Sequence, residues 1–116
     1  MFERGTEWRM WDLHVHTPES LCHSYNGADP WDRFLTELAA LPPEIGVVGI
    51  NDYWFLDGYA RVRREFESGR LPNLAAILPV LEIRCDNFGG TDGRLRRINL
   101  HFICDPDLSV EVIKTQ

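Results

Sequence analysis

Four places in the chain carry polar or ionisable side chains where apolar ones would be ordinary. His14 and His16 flank Val15, and Asn51-Asp52 ends the run Ile45–Ile50. Glu82 interrupts Leu78-Pro79-Val80-Leu81, and His101 stands inside Asn99-Leu100-His101-Phe102-Ile103. Burying such groups costs free energy unless they are paired or bind a metal. In a strand, alternate side chains share a face, so Asp12, His14 and His16 project together while Leu13 and Val15 face the other way. The two imidazoles are then about 6–7 Å apart at the backbone, close enough to lean toward one ion. Taken singly, each group has an ordinary structural explanation: hydrogen-bonded histidines, a carboxylate on a solvent face, a core histidine, an aspartate capping a turn. Together, at successive strand ends, they favour a mixed imidazole and carboxylate site, a donor set that suits zinc, manganese or iron.

The elements that must position these residues are well signalled. An extended segment is predicted over Met10–His16, followed by a polar loop broken by Pro18, Asn26 and Gly27. Asp29 is a good N-cap and Pro30 suits the first helical position. Trp31, Phe34, Leu35, Leu38 and Leu41 recur at helical spacing until Pro42-Pro43 stops the helix. Ile45–Ile50 reads as a short buried strand. Asp57 is placed to cap a second helix over about Gly58–Glu67, with Gly69 just past its end. A third strand is predicted over about Ile77–Arg84, where Pro79 implies an edge, a bulge or a strand start. After a glycine turn, Gly89-Gly90-Thr91-Asp92-Gly93, a fourth strand covers about Leu95–Cys104. The order β-α-β-α-β-β predicts an α/β fold. Its first three strands should be parallel, and an antiparallel hairpin should follow, because the last connection has no room for a crossover helix.

Asp12-Leu13-His14-Val15-His16-Thr17-Pro18-Glu19-Ser20 closely resembles the first motif of the PHP (polymerase and histidinol phosphatase) superfamily. Gly49-Ile50-Asn51-Asp52-Tyr53 resembles its second motif, Val80-Leu81-Glu82-Ile83 its third, and Asn99-Leu100-His101-Phe102 the histidine strand that follows. The resemblance implies the first half, about four strands and two helices, of a distorted (βα)7 barrel. Its divalent ions, often two or three, cleave phosphate esters, with nucleotides or nucleic acid as substrates. Carried over by position, His14, His16, Glu82 and His101 match metal ligands, and Glu82 and Asp52 the catalytic carboxylates. His23 matches a further ligand only after a one-residue shift. The usual histidine of the second motif is Tyr53 here, so one ligand is missing, and the later strands of a full barrel would carry more. The run from Arg4 to Tyr53 is most similar to the N-terminal PHP-like segment of large bacterial SMC- or ABC-type ATPase proteins. That implies a partial domain over residues 1–116, continuing into an ATPase region. The alternative is a degenerate, non-catalytic module that binds a partner or regulates the attached ATPase.

The remaining features narrow the reading by exclusion. The chain has 116 residues and a formal charge of −6, from 18 acidic and 12 Lys or Arg side chains. That argues against nonspecific coating of nucleic acid. With 44% hydrophobic and 26% charged residues it has ordinary globular composition. No apolar run approaches the ~18 residues of a membrane span. The first seven residues lack the apolar core of a signal peptide. The three cysteines, Cys22, Cys85 and Cys104, are scattered and predict no disulfide scaffold, so a reducing cytoplasm is the expected setting. The glycine turn lacks the Lys-Ser/Thr ending of a phosphate-binding loop, so these residues should not bind ATP. The basic clusters Arg61/Arg63/Arg64 and Arg94/Arg96/Arg97 are read as a solvated helix face and a protected strand edge. Trp8, Trp11, Trp31 and Trp54 are read as packing residues.

Overall fold

The structure, a computed structural model, describes residues 8–21, 25–90 and 93–115. The elements in chain order are β1 (Met10–Val15), α1 (Pro30–Ala39), β2 (Ile45–Ile50), α2 (Asp57–Glu67), β3 (Ala76–Gly89), β4 (Arg96–Ile103) and α3 (Val110–Lys114). The four strands form one curled sheet in the order β1-β2-β3-β4. β1 and β2 pair in parallel, as do β2 and β3, and β3 and β4 pair antiparallel. The alternation of strands and helices therefore predicts the topology correctly.

The helices form because their apolar residues fall on one stripe. In α1, Trp31, Phe34, Leu35 and Leu38 are buried, while Asp29 caps the first turn by accepting from the Asp32 N–H at 2.9 Å. α2 contributes Tyr59 and Val62 to the same core, and β2 contributes Val48 and Ile50. Burying a side chain such as Phe34 or Leu35 is worth about 1.5–3 kcal/mol relative to exposure. The core thus lies between the helices and one face of the sheet. Val15 and Leu81 pack against it. Their strand neighbours, His14 and Glu82, therefore project from the opposite, helix-free face.

Several local expectations are corrected. Asp57 does not cap α2: the N-cap is Leu56, with no side-chain cap bond, and Asp57 is the first helical residue, its carboxylate 3.3 Å from Lys114 Nζ. Pro79 lies in an interior strand at the last rung of the β2–β3 ladder, opposite Ile50. β3 passes at that point from β2 to β4, where Val80 pairs with Ile103. β3 also runs on to Gly89, and α3, capped by Ser109, is an element that the helical periodicity does not predict. Of the four tryptophans only Trp31 packs in the core; Trp8, Trp11 and Trp54 are mostly exposed. Arg61 lies over the Trp31 ring and Arg63 bonds Glu67 and the Leu108 carbonyl, so part of the first basic cluster serves the fold. Cys85 and Cys104 are free thiols, and Cys22 lies outside the described residues. No helix among the described residues is long and apolar enough to cross a membrane.

Candidate metal centre

Three of the four polar positions meet on the helix-free face. His14 comes from β1, Glu82 from β3 and His101 from β4. One possible ligand atom from each lies within 4.8 Å of the other two. Glu82 is opposite His101 in the antiparallel ladder, so this pairing follows from the register. The His14 Nε2 is 3.6 Å from Glu82 Oε2, and the His101 Nε2 is 3.7 Å from the same oxygen. Around one ion with ligand atoms ~2.1 Å away, tetrahedral neighbours are about 3.4 Å apart. Both separations are close to that edge, and the three donor atoms lie within 4.8 Å of one another, so the set can close on a divalent cation if the two exposed imidazoles draw together. The Glu82 side chain is 7% exposed, whereas His14 and His101 are 51% and 34% exposed. The trio therefore has a buried base and an open outer side.

The base is held on every side. The Asn51 Nδ2 donates to Glu82 Oε2 at 3.0 Å, and the Asn99 Nδ2 donates to Oε1 at 2.8 Å. The Glu82 N–H donates to the Tyr53 carbonyl at 3.1 Å. Tyr53 has φ +60°, a left-handed conformation that costs a side-chain-bearing residue roughly 1–2 kcal/mol. Its N–H donates to Asn51 Oδ1 at 3.2 Å. Close strand approach is required here too. A Cβ on Gly49 would stand 2.8 Å from both the Leu13 Cα and a Val80 methyl, so glycine lets β1 and β3 close around β2.

The other expected site residues surround the trio. The His16 ring lies 4.9 Å from that of His14, centroid to centroid, and outside the three-residue cluster. Its Nδ1 is 3.5 Å from Ser20 Oγ, and its ring stacks on Tyr53 at 5.5 Å. Asp52 is fully buried and turned to the turn after β1. Its Oδ1 accepts from the Thr17 N–H at 2.8 Å and its Oδ2 from the Thr17 hydroxyl at 2.6 Å. Burial pushes the Asp52 carboxyl above its ordinary range, against the opposing pull of the Thr17 bonds and the His16 charge. Asp52 thus anchors the turn that carries His16. His23 lies outside the described residues. Asn99 lies outside the expected site residues; its spacing two residues before His101, on the same strand face, is the signal that points to it.

No family model, curated protein or solved structure matches this chain.

Proposed function

We propose that this chain is a metal-dependent phosphoesterase module, holding zinc, manganese or iron on His14, Glu82 and His101. The observation that carries the reading is the convergence of two imidazole Nε2 atoms on one oxygen of a buried carboxylate, with the outer side left open. A divalent ion held there would supply Lewis-acid polarisation of a phosphoryl oxygen. The chain's own residues supply the rest. Glu82, fixed by two amides, keeps the donor set in place, and the buried floor keeps water from its inner side. The exposed imidazole edges leave room for a phosphate ester, with nucleotides or nucleic acid the expected class by motif resemblance. His16, beside His14 and oriented by Ser20, is placed to move a proton at the rim. The same resemblance makes the module the opening part of a PHP-type barrel ahead of an ATPase region.

One observation favours a second reading, in which the module binds metal or a partner without turnover. Tyr53 stands where the motif would place a histidine, and a phenol, with a pKa near ~10, is a poor metal ligand at neutral pH. The test is metal content by mass spectrometry together with hydrolysis of bis(p-nitrophenyl) phosphate in manganese or zinc. Binding and turnover that both vanish in Glu82→Gln and His14→Ala support the phosphoesterase. Tight, His14-dependent binding with no turnover supports the second reading, and a chain that takes up no divalent ion refutes the metal centre itself.

A further inference from the structure

We propose that Asn51 and Asn99 clamp Glu82 so that it offers a single oxygen, Oε2, to a single ion. The inference rests on the metal-centre reading above and narrows it, since the motif resemblance implies two or three ions. In its common two-oxygen mode a carboxylate bridges two ions by giving one oxygen to each. Here both imidazoles stand against Oε2, at 3.6 and 3.7 Å. Oε1 is turned away to Asn99, whose amide donates to it at 2.8 Å. No second cluster of three or more possible ligands accompanies the trio among the described residues.

The orientation of the clamp is fixed by its own hydrogen bonds. The Tyr53 backbone N–H can only donate, so the Asn51 atom facing it at 3.2 Å is the carbonyl Oδ1. Its Nδ2 must then be the atom that faces Glu82 Oε2 at 3.0 Å. Asn99 likewise faces a carboxylate oxygen and presents its amide nitrogen. Each oxygen of a carboxylate offers about two lone-pair sites. Oε2 therefore gives one to Asn51 and keeps one directed toward the imidazoles. Two amides from different loops and strands hold a side chain that is 7% exposed, so the carboxylate cannot swing to chelate through both oxygens without losing the Asn99 bond. Asn51 and Asn99 are positioning residues: they touch the ligand, not the ion.

The experiment is a titration of the 116-residue chain with Co²⁺ and Zn²⁺, read by calorimetry, native mass spectrometry and the visible Co²⁺ spectrum. The expected result is one ion per chain. Asn99→Leu, a change of similar volume at an exposed strand, should weaken affinity by about 10–100-fold, the range typical for loss of a group that supports a ligand. It should also alter the Co²⁺ band shape, because Oε1 becomes free to coordinate. Circular dichroism and a thermal melt of the apo variant separate this from unfolding. Asn99→Gln, which keeps an amide donor, should recover part of the affinity. Two ions per chain, both lost in Glu82→Gln, would overturn the one-oxygen clamp while leaving a metal centre. One ion with unchanged affinity and spectrum in Asn99→Leu would overturn the clamp as well. No ion bound by the unaltered chain would overturn both the clamp and the reading on which it rests.

Discussion

Gly58→Ala sets two physical effects against each other at the corner that carries His16. Alanine is favoured over glycine in a helix interior by about 1 kcal/mol, so a helix near its first turn should gain slightly. Yet a Cβ at Gly58 would overlap Asp52 Oδ2, Thr17 Oγ1 and the Thr17 methyl. None of these is the free end of a flexible side chain: Asp52 and Thr17 are both fully buried and tied together by two hydrogen bonds. Hydrogen bonds to a charged group contribute about 1.5–3 kcal/mol each. Overpacking a fitted site costs a further ~1–3 kcal/mol. If the corner yields by giving up one of the two bonds, the net loss is about 1.5–5 kcal/mol. At ~4 °C per kcal/mol for a domain of this size, Tm should fall by about 6–20 °C. Urea unfolding followed by circular dichroism gives the free energy directly, and the thermal melt gives the shift. A variant that is as stable as the parent, or more so, would refute the packing argument. It would show that helix propensity governs this position.

Three further outcomes follow from the same geometry. Asp52→Asn should flatten part of the pH dependence of stability. Burial raises the folded-state pKa above the unfolded value of 3.8, so the Asp52 contribution is full below that value and is lost as pH rises through the folded pKa. Urea midpoints at pH 4 and pH 7 for parent and variant check this, and parallel profiles would contradict it. Tyr53→Gly should be more stable than Tyr53→Ala by about 1 kcal/mol, because both lose the ring but only alanine keeps the strained left-handed backbone; equal unfolding free energies would place Tyr53 outside that conformation. Trp31→Phe should cost about 1–3 kcal/mol in urea unfolding. It removes the 2.9 Å bond to Glu19 and puts a smaller ring, a weaker cation partner, under Arg61, and a neutral result would mean that neither the bond nor the larger ring matters.

The strand period made His14, Glu82 and His101 legible, because one rule, alternate residues on one face, applies to all three. The same rule puts Val15 and Leu81 on the helix side, where they pack. What the period does not supply is register. Asn99 reaches Glu82 only because Glu82 pairs with His101, which makes Asn99 a diagonal neighbour two residues away. A slip of one residue would turn both asparagine and histidine to the other face. The α3 segment is not legible by period because five residues carry too little of it; Ser109, its cap, is the one local signal. Three tryptophans are exposed against expectation because hydrophobic type predicts burial only on average. Trp8 precedes the sheet-edge strand β1, Trp11 lies in it, and Trp54 sits in the loop after β2, all outside the helix-covered core.

The strained residue and the proline serve the same end, which is to hand β3 from one partner to another at the carboxylate. β2 ends at Ile50, and Pro79, its last partner on β3, has no N–H to offer a continuing ladder. Three residues later the Glu82 N–H finds its acceptor in the Tyr53 carbonyl rather than in a neighbouring strand. For that carbonyl to point at β3, the chain must turn sharply within Asn51-Asp52-Tyr53, and the left-handed φ of Tyr53 makes the turn. Asn51 spans it, accepting from the Tyr53 N–H with its oxygen and donating to the Glu82 side chain with its nitrogen. The backbone and the carboxylate of Glu82 are therefore both located by one three-residue segment at the end of β2. Strain of about 1–2 kcal/mol at Tyr53 is offset locally by these bonds. The consequence is geometric: β2 contributes no ligand to the trio, yet its end sets where the ligands from β1, β3 and β4 can meet.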